Sequence, residues 1–309
     1  MSSLGLYILR RLGLAVPTLL GVTLIIFVMV RLIPGDPARV IAGLTASEEE
    51  VARLRVELGI NRPIHVQYGI FLNRLIRGDL GLSAATRAPV IEEIQIRMRA
   101  TVMLAITSIL LATLVGMTAG IVSATRQYSV LDYTVMGVAL FGVSIPVFWL
   151  GLMLMLLFSV YLHWLPAGGF GGPAHFVLPT VALSAFSVAI IARMTRSSLL
   201  ETFNQDYVRT AHAKGVQRRA VVLRHALKNA LIPILTVIGL QFGALLGGAI
   251  LTETTFAWPG MGRLLVSAIG ARDYPVIQGI VFTFALLFAA VNLVVDLLYA
   301  YVDPRIHYG

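Results

Sequence analysis

The chain alternates between long apolar runs and polar connections, and the length of the apolar runs indicates the class of protein. A helix needs about 20 consecutive apolar residues to cross the hydrocarbon core of a bilayer, which is about 30 Å thick. Six stretches have this character, namely residues 9–31, 101–124, 133–161, 176–192, 230–252 and 277–302. The fourth is the weakest because Pro179 and several Ser and Ala residues dilute it. The pattern predicts an all-α, polytopic membrane protein with six transmembrane helices.

Composition and charge agree with this prediction. Of the 309 residues, 58% are hydrophobic and 13% are charged, whereas soluble domains have roughly 45–50% and 25%. The net charge of +9 would suit a nucleic-acid partner only on a large water-soluble body, which the pattern lacks. With no cysteine, disulfides and thiolate metal sites are excluded. The first apolar run exceeds the about 7–15 residues of a signal-peptide core, so we expect a retained span.

The basic residues of the short connections predict the orientation of the spans. The third connection, residues 163–175, has no Lys or Arg, and the fifth has only Arg263 and Arg272. The N-terminus, the second connection and the fourth connection carry the remaining relevant charges: Arg10, Arg11, Arg126, Arg193, Arg196, Arg209, Lys214, Arg218, Arg219, Arg224 and Lys228. We therefore expect a multi-pass membrane protein with both termini in the cytoplasm.

The first connection, residues 32–100, is long enough to form a small helical lobe on the outer, periplasmic side. Ser47 and Glu50 have the spacing of a capping box, and Gly59 can end the helix that follows. A second short helix is predicted from Pro63 to Gly78. The expected division is a first transmembrane helix (1–31), this lobe (32–100), a core transmembrane domain (101–302) containing a cytoplasmic loop (193–229), and a cytoplasmic tail (303–309).

The loop contains the basic stretch YVRTAHAKGVQRRAVVLRHALKNA, residues 207–230. Asn204 or Asp206 can cap a helix that begins near Tyr207, and Gly215 can end it. A second helical run is predicted from residue 217 to residue 229. The charges by themselves are also typical of a loop that sets topology and contacts anionic lipid. The small residues Ala211, Ala213 and Gly215 instead favour close approach by another protein.

This loop resembles the EAA loop in the membrane subunits of ATP-binding-cassette importers. Arg209-Thr210-Ala211 stands where the family has Glu-Ala-Ala, Gly215 matches its glycine, and Leu227-Lys228 replaces its Leu-Pro. The variant DYVRTAHAKG followed by HALKNALIP resembles the branch that carries dipeptides, oligopeptides, glutathione and nickel. Further segments resemble this branch in the same order: RRLGLAVPTLLG, LIPGDP, GDLGLS (78–83), MTRSSLLE (194–201), ETTFAWPGMGRLL (253–265), RDYPVIQG (272–279) and NLVVDLLYAYVDPRI (292–306).

The resemblance implies a type I importer permease fold, a place in a bacterial inner membrane, and a coupling helix that binds a separate ATPase. The implied coupling residues are Asp206, Tyr207, Arg209, Thr210, Ala211, Ala213, Lys214 and Gly215. A Walker A loop needs Gly-Lys-Ser/Thr, and the only lysines follow Ala213 and Leu227. We therefore expect no cofactor on this chain, with ATP and Mg²⁺ on two ATPase subunits. The other implied partners are a second, homologous permease subunit, membrane lipid, and a periplasmic or lipid-anchored substrate-binding protein.

Several residues are candidates for the translocation pathway or for packing between two permease subunits. Gly239, Gly243 and Gly247 share one helix face, which can pack either inside this chain or against a second permease. Gln241 either points into the path or bonds to a neighbouring helix. Ser144 and Pro146 predict a bend in the third span. The pair Gly116 and Gly120 is predicted to pack inside the subunit.

The outer connection from Glu253 to Pro275 and the periplasmic lobe are the predicted contacts for the binding protein. The candidate contact residues are Glu253, Trp258, Pro259, Arg272 and Asp273. No catalytic constellation is present, and His163 and His175 lack the spacing of a metal site, so no enzyme or metal centre is predicted.

The expected function is a permease subunit for dipeptides or oligopeptides, with nickel or glutathione as alternative cargo. The alternatives from other classes are a proton-coupled secondary transporter that uses Asp296, a carboxylate inside the sixth span, and an intramembrane enzyme.

Overall fold

A computed structural model describes residues 3–32, 36–43, 46–57, 59 and 61–302. The predicted tail, 303–309, lies outside these residues. No strand occurs in the described ranges; Leu82 and Pro89 form an isolated bridge. The helices are α1 (Ser3–Leu32), α2 (Pro37–Ala42), α3 (Glu48–Glu57), α4 (Ile64–Ile76), α5 (Val90–Thr125), α6 (Val130–Ser144), α7 (Val147–Met155), α8 (Ala174–Phe203), α9 (Asp206–Ala213), α10 (Arg218–Ala220), α11 (Leu227–Thr255), α12 (Met261–Gly270) and α13 (Tyr274–Val302). Two π-helical segments, Leu156–Tyr161 and Val221–Ala226, extend α7 and connect α10 to α11.

The helices correct the predicted bounds of several spans. Helix α5 begins at Val90, so the predicted limit of the outer lobe at residue 100 falls inside a helix. Helix α8 continues through residue 203, eleven residues past the predicted end of the fourth span. The helical run predicted for residues 217–229 is not a separate element, because residues 218–255 form one continuous 38-residue apolar helix. Propensity does not show where a helix stops when no Gly or Pro interrupts it.

The chain forms two compact units, each described here by itself. The first comprises residues 1–101 and 259–289. In it α1 packs on α4: the Thr23 hydroxyl lies 3.0 Å from the Tyr68 hydroxyl, and Phe27 contacts the Tyr68 ring edge-on. The predicted capping box is confirmed, because the Ser47 amide donates to a Glu50 carboxylate oxygen at 2.9 Å and the Glu50 amide donates to the Ser47 hydroxyl.

The second unit comprises residues 102–258 and 290–309. Helix α8 lies at its centre and contacts α6, α7 and α11. The predicted internal packing of the Gly116 and Gly120 pair is confirmed. A Cβ atom on Gly116 would lie 2.9 Å from the Ile191 Cβ, and one on Gly120 would lie 2.5 Å from the Thr195 Cβ. The glycines therefore let α5 and α8 approach more closely than any larger residue would allow.

Helices α6 and α7 together form one broken span. They meet at an angle of 102° around Ile145 and Pro146, so the bend predicted from Pro146 is present. The start of α6 binds α8 at Arg196, whereas the end of α7 packs near Leu178, close to the other end of α8. These two α8 positions are 18 residues apart, or about 27 Å at 1.5 Å per residue. The pair therefore runs from one end of α8 to the other instead of turning back, and the described residues contain six crossings.

The connections of the second unit lie at two opposite ends of α8. At one end Arg218, in the fourth connection, donates from Nη2 to the Thr125 carbonyl at 2.6 Å, next to the second connection. At the other end the Gly169 amide donates to the Phe256 carbonyl at 2.8 Å, so the third and fifth connections are in contact. These four connections fall into the same two groups that their Lys and Arg content predicts.

Candidate functional site

The short helix α9 of the loop between α8 and α11 is amphipathic. Its buried side chains, Val208 and Ala211, form a cluster with Val221 of the following π-helical segment. Phe203 at the end of α8 packs against the same cluster. Helix α9 is thus fixed to the helices before and after it by an apolar contact, and a displacement of α9 is transmitted to both.

The start of α9 differs from the predicted cap. Gln205 occupies the N-cap position without a side-chain hydrogen bond, and Asp206 is the first helical residue. The Asn204 side chain instead donates from Nδ2 to the Leu200 carbonyl at 3.1 Å, within the last turn of α8. Asn204 therefore bonds backward to α8 because its position follows the end of that helix directly.

The end of α9 is the predicted glycine stop. Gly215 has φ +73°, in the left-handed region, and the Val216 amide donates to the Ala211 carbonyl at 3.2 Å. This pattern, together with the packing of Val216 on the Val208–Ala211 cluster, is a Schellman motif. A Cβ on Gly215 would meet no atom within 4 Å. Backbone conformation, rather than close approach within the chain, therefore explains this glycine.

The remaining predicted coupling residues face away from the chain. Their side chains are exposed; they are Asp206, Tyr207, Arg209, Thr210, Ala213 and Lys214. Ala211 is a correction: it is 7% exposed and packs inside the loop, so it is not available for close approach by a partner. Ala213, two residues further, lies on the exposed side, because neighbouring positions on a helix point in different directions.

A buried ion pair connects α6 to α8 near the loop. Asp132 accepts from Arg196 at two points, from Nε at 2.8 Å and from Nη2 at 2.7 Å. Ser123 also donates to the carboxylate, and the Tyr128 amide donates to it at 3.0 Å. The charge pattern along the chain marks Arg196 only as a topological charge, and no motif singles out Asp132. A carboxylate at the start of an apolar run was the available signal, because such a group requires a partner.

The predicted glycine face on α11 divides between two environments. A Cβ on Gly239 would lie 2.4 Å from a Val295 side-chain carbon of α13, whereas one on Gly247 would meet nothing within 4 Å. Gly243 is buried. A contact of Gly239 with a second permease is therefore contradicted, since α13 of the same chain covers it. Gln241 bonds to a neighbouring helix, because its Oε1 accepts from the Ser187 hydroxyl at 3.0 Å.

The other pathway candidates lie at the break in the third span. Ser144 and Pro146 are exposed, and the Ser144 hydroxyl donates to the Leu140 carbonyl one turn earlier at 3.1 Å. Pro146 occupies the N-cap of α7. Both residues shape the bend through the backbone, and their place in a translocation path stays a prediction.

Three of the predicted outer contact residues are buried, which corrects that part of the prediction. Glu253 and Trp258 are 0% exposed and Asp273 is 3% exposed. In the second unit, the Trp258 ring contacts Phe170 and Phe176 edge-on, with centroids 4.9 and 4.6 Å apart. Pro259 and Arg272 are exposed. Polar and aromatic residues in a connection can be buried by other residues of the same chain. The sequence pattern does not distinguish such residues from those that contact a partner protein.

In the first unit, Asp273 joins two of the segments that carried the family resemblance. Its carboxylate accepts from the Ser83 hydroxyl and from the amides of Ala84 and Ala85, at 3.0 and 3.1 Å. GDLGLS (78–83) thereby meets RDYPVIQG (272–279). A Cβ on Gly279 would lie 2.8 Å from Val90. These contacts hold the two segments together within the first unit, so the resemblance there reflects fold.

The architecture defines a multi-pass membrane protein with an exposed, glycine-terminated helix on a loop between two spans. Two family models match the chain: the binding-protein-dependent transport system inner membrane component over residues 116–308 and its N-terminal counterpart over residues 4–106. The chain belongs to this family of binding-protein-dependent transport permeases. In the described part of the chain, no group of three metal-ligating side chains comes together.

Relatives that match over nearly their full length are named as dipeptide or glutathione transport permeases. The dipeptide transport system permease protein DppB of Alkalihalophilus pseudofirmus is 48% identical, with 98% of this chain and 99% of the relative covered. The glutathione transport system permease protein GsiC of Salmonella choleraesuis is also 48% identical, with the same coverage. DppB of Escherichia coli is 44% identical, with 98% of each chain covered.

Solved structures support the fold. A chain of the MetNI methionine ABC transporter in an inward-facing conformation matches with a TM-score of 0.59 at 18% identity, covering 68% of this chain and 96% of that chain. A chain of an amino acid ABC transporter matches with a TM-score of 0.54 at 14% identity, covering 68% and 94%. The transmembrane fold is therefore that of type I ABC importer permeases.

Proposed function

We propose that this permease forms half of a translocation path for dipeptides and short oligopeptides. The cargo is supported by the names of the relatives, two of which are dipeptide permeases. A glutathione permease is equally identical to this chain, and glutathione is the second candidate because it is itself a short peptide. The other half of the path is a second permease subunit, and an external binding protein delivers the cargo. Pro259 and Arg272, the exposed members of the predicted outer set, are the contacts retained for that protein.

The driving force in this proposal is ATP hydrolysis on separate ATPase subunits, where ATP and Mg²⁺ bind. The observation that carries it is the geometry of α9: one face is packed against the end of α8 and the π-helical segment, and the other is exposed. An ATPase subunit that binds the exposed face and moves it also moves the buried face of α9. The movement then reaches α8 and α11, the spans on either side of the loop. The loop and both termini are then cytoplasmic.

The proton-coupled alternative rests on Asp296, which is half-buried and has an interaction within the chain. That environment suits a structural carboxylate. Uptake that persists without the ATPase but fails in Asp296→Asn would favour the alternative.

The test places a carboxylate on the exposed face of α9. Ala213→Glu should leave the protein inserted and folded but abolish ATP-driven peptide uptake and the peptide-stimulated ATPase activity of the assembled complex. Ala213 is preferable to Gly215, because any side chain at Gly215 adds backbone strain of about 1–2 kcal/mol. Gln217→Glu, which adds a carboxylate at an exposed residue of the same loop but outside α9, is the control and should retain coupling. Normal coupling in Ala213→Glu would contradict the proposal.

A further inference from the structure

A cavity of about 410 Å³ lies beside the loop in the second unit. It is enclosed by the end of α5 and the second connection, the end of α8, the exposed flank of α9 and the start of the α10 segment. Its volume falls within the range of roughly 300–1,000 Å³ that small-molecule sites occupy. The ATPase coupling described above does not require this cavity.

The polar side of the cavity is cationic. Arg126 and Arg218 line it together with the imidazole of His212, and no Asp or Glu is among its lining residues. The bond from Arg218 to the Thr125 carbonyl uses one of the five N–H donors of the guanidinium and fixes its position. The His212 Nδ1 lies 3.0 Å from the Val208 carbonyl, which can only accept, so Nδ1 carries a proton and Nε2 is directed elsewhere. A compact anion is the chemistry that such a group of donors recognises.

The other side of the cavity is apolar. Ala124, Leu200, Phe203 and Val222 line it. Three apolar helices long enough to cross a membrane end or begin at these residues, namely 90–125, 174–203 and 218–255. Ala124 is the last residue of the predicted span 101–124, so the cavity lies beside the end of that span. A ligand that fits both sides has an anionic group joined to a short apolar stem.

We propose that this cavity binds the phosphate of an anionic phospholipid headgroup, with the glycerol and first acyl carbons against its apolar side. Basic pockets between transmembrane helices are suited to such headgroups because charge attraction and apolar burial act together. The bound lipid joins the second connection to α9 through Arg126 and His212.

The experiment measures phosphatidylglycerol binding to the delipidated full chain in detergent by native mass spectrometry. The double variant Arg126→Gln/Arg218→Gln should bind about 30-fold more weakly, because each basic residue near a lipid headgroup contributes about fivefold in affinity. The matched control is Arg219→Gln/Arg224→Gln, which removes the same charge from exposed residues of the same loop outside the cavity. The control should bind phosphatidylglycerol as the unmodified chain does.

Three results would overturn the proposal. Equal loss in the control pair would show that attraction is diffuse over the loop. Tight binding of soluble glycerol phosphate, with no further gain from acyl chains, would assign the same phosphate chemistry to a free metabolite instead of lipid. Equal retention of phosphatidylcholine would show that the cavity does not select an anionic headgroup. The melting temperature of each variant in detergent confirms that it is folded before binding is compared.

Discussion

Asp132 and Arg196 form a two-point ion pair whose partners differ in burial: the Asp132 side chain is 1% exposed and the Arg196 side chain is 25% exposed. Loss of Arg196 and loss of Asp132 should therefore destabilise the protein by different amounts. Arg196→Gln leaves a buried carboxylate without its cation, and breaking a buried pair costs about 3–5 kcal/mol. Asp132→Asn leaves a guanidinium that water can reach, so we expect about 1–3 kcal/mol.

The measurement is the melting temperature of each variant in detergent, with the double variant included. Arg196→Gln should lower it more than Asp132→Asn, and the double variant should lose less than the sum, because the two residues interact directly. An equal or reversed order would contradict the burial argument.

Close packing of α5 on α8 predicts that even one methyl group at Gly120 destabilises the second unit. A Cβ there would lie 2.5 Å from the Thr195 Cβ and 2.6 Å from the Ala192 carbonyl oxygen. Overpacking of this kind costs about 1–3 kcal/mol. Gly137→Ala in α6 is the matched control, because a Cβ at Gly137 meets nothing within 4 Å. In detergent, Gly120→Ala should unfold at a lower temperature than Gly137→Ala. Equal melting temperatures would show that α5 and α8 can move apart without cost.

Gly239 and Gly247 should respond differently to alanine although they share a helix face. Gly239→Ala should destabilise the isolated chain, and Val295→Ala in the same protein should restore part of the loss because it removes the carbons that clash. Gly247→Ala should leave the stability of the isolated chain unchanged. If Gly247 contacts a second permease, its alanine variant will instead weaken co-purification of the two subunits. Failure of Val295→Ala to rescue Gly239→Ala would contradict the internal contact.

Asp273 is predicted to act on stability, not on binding of an external protein. Asp273→Asn weakens charge-assisted bonds to Ser83, Ala84 and Ala85, each worth about 1.5–3 kcal/mol, and should expose residues 83–88 to proteolysis. Asp79→Asn is the control: that carboxylate accepts from the Gly81 amide two residues away, so its loss is local. An Asp273→Asn variant with unchanged proteolysis but weaker affinity for the binding protein would restore Asp273 as a direct contact.

Local signals in the chain were sufficient for several features. The Ser47–Glu50 capping box and the Gly215 helix stop depend on residues within a few positions of one another, and both are confirmed. The predicted N-cap of α9 was wrong because two polar residues, Asn204 and Asp206, competed for that role. Neither holds it: Asn204 ends α8, Gln205 is the N-cap, and Asp206 is the first helical residue.

Face assignments required the folded chain. Ala211 and Gly239 are small residues on helix faces, and small size permits close approach by a partner or by the same chain. Val221, in the next helical segment, covers Ala211, and Val295 of α13 covers Gly239. The periodicity of one helix does not predict which residue of another helix will cover it.

The sequence by itself determined the six apolar runs of spanning length and the grouping of the second and fourth connections apart from the third and fifth. The length of apolar runs and the placement of charges are set by the bilayer, a solvent common to all such proteins. Only the tertiary structure decided that the bent third segment crosses instead of turning back, that Asp132 pairs with Arg196, and which face of α9 is exposed. These features depend on contacts between residues far apart in the chain, and no local periodicity encodes which distant side chain will be the neighbour.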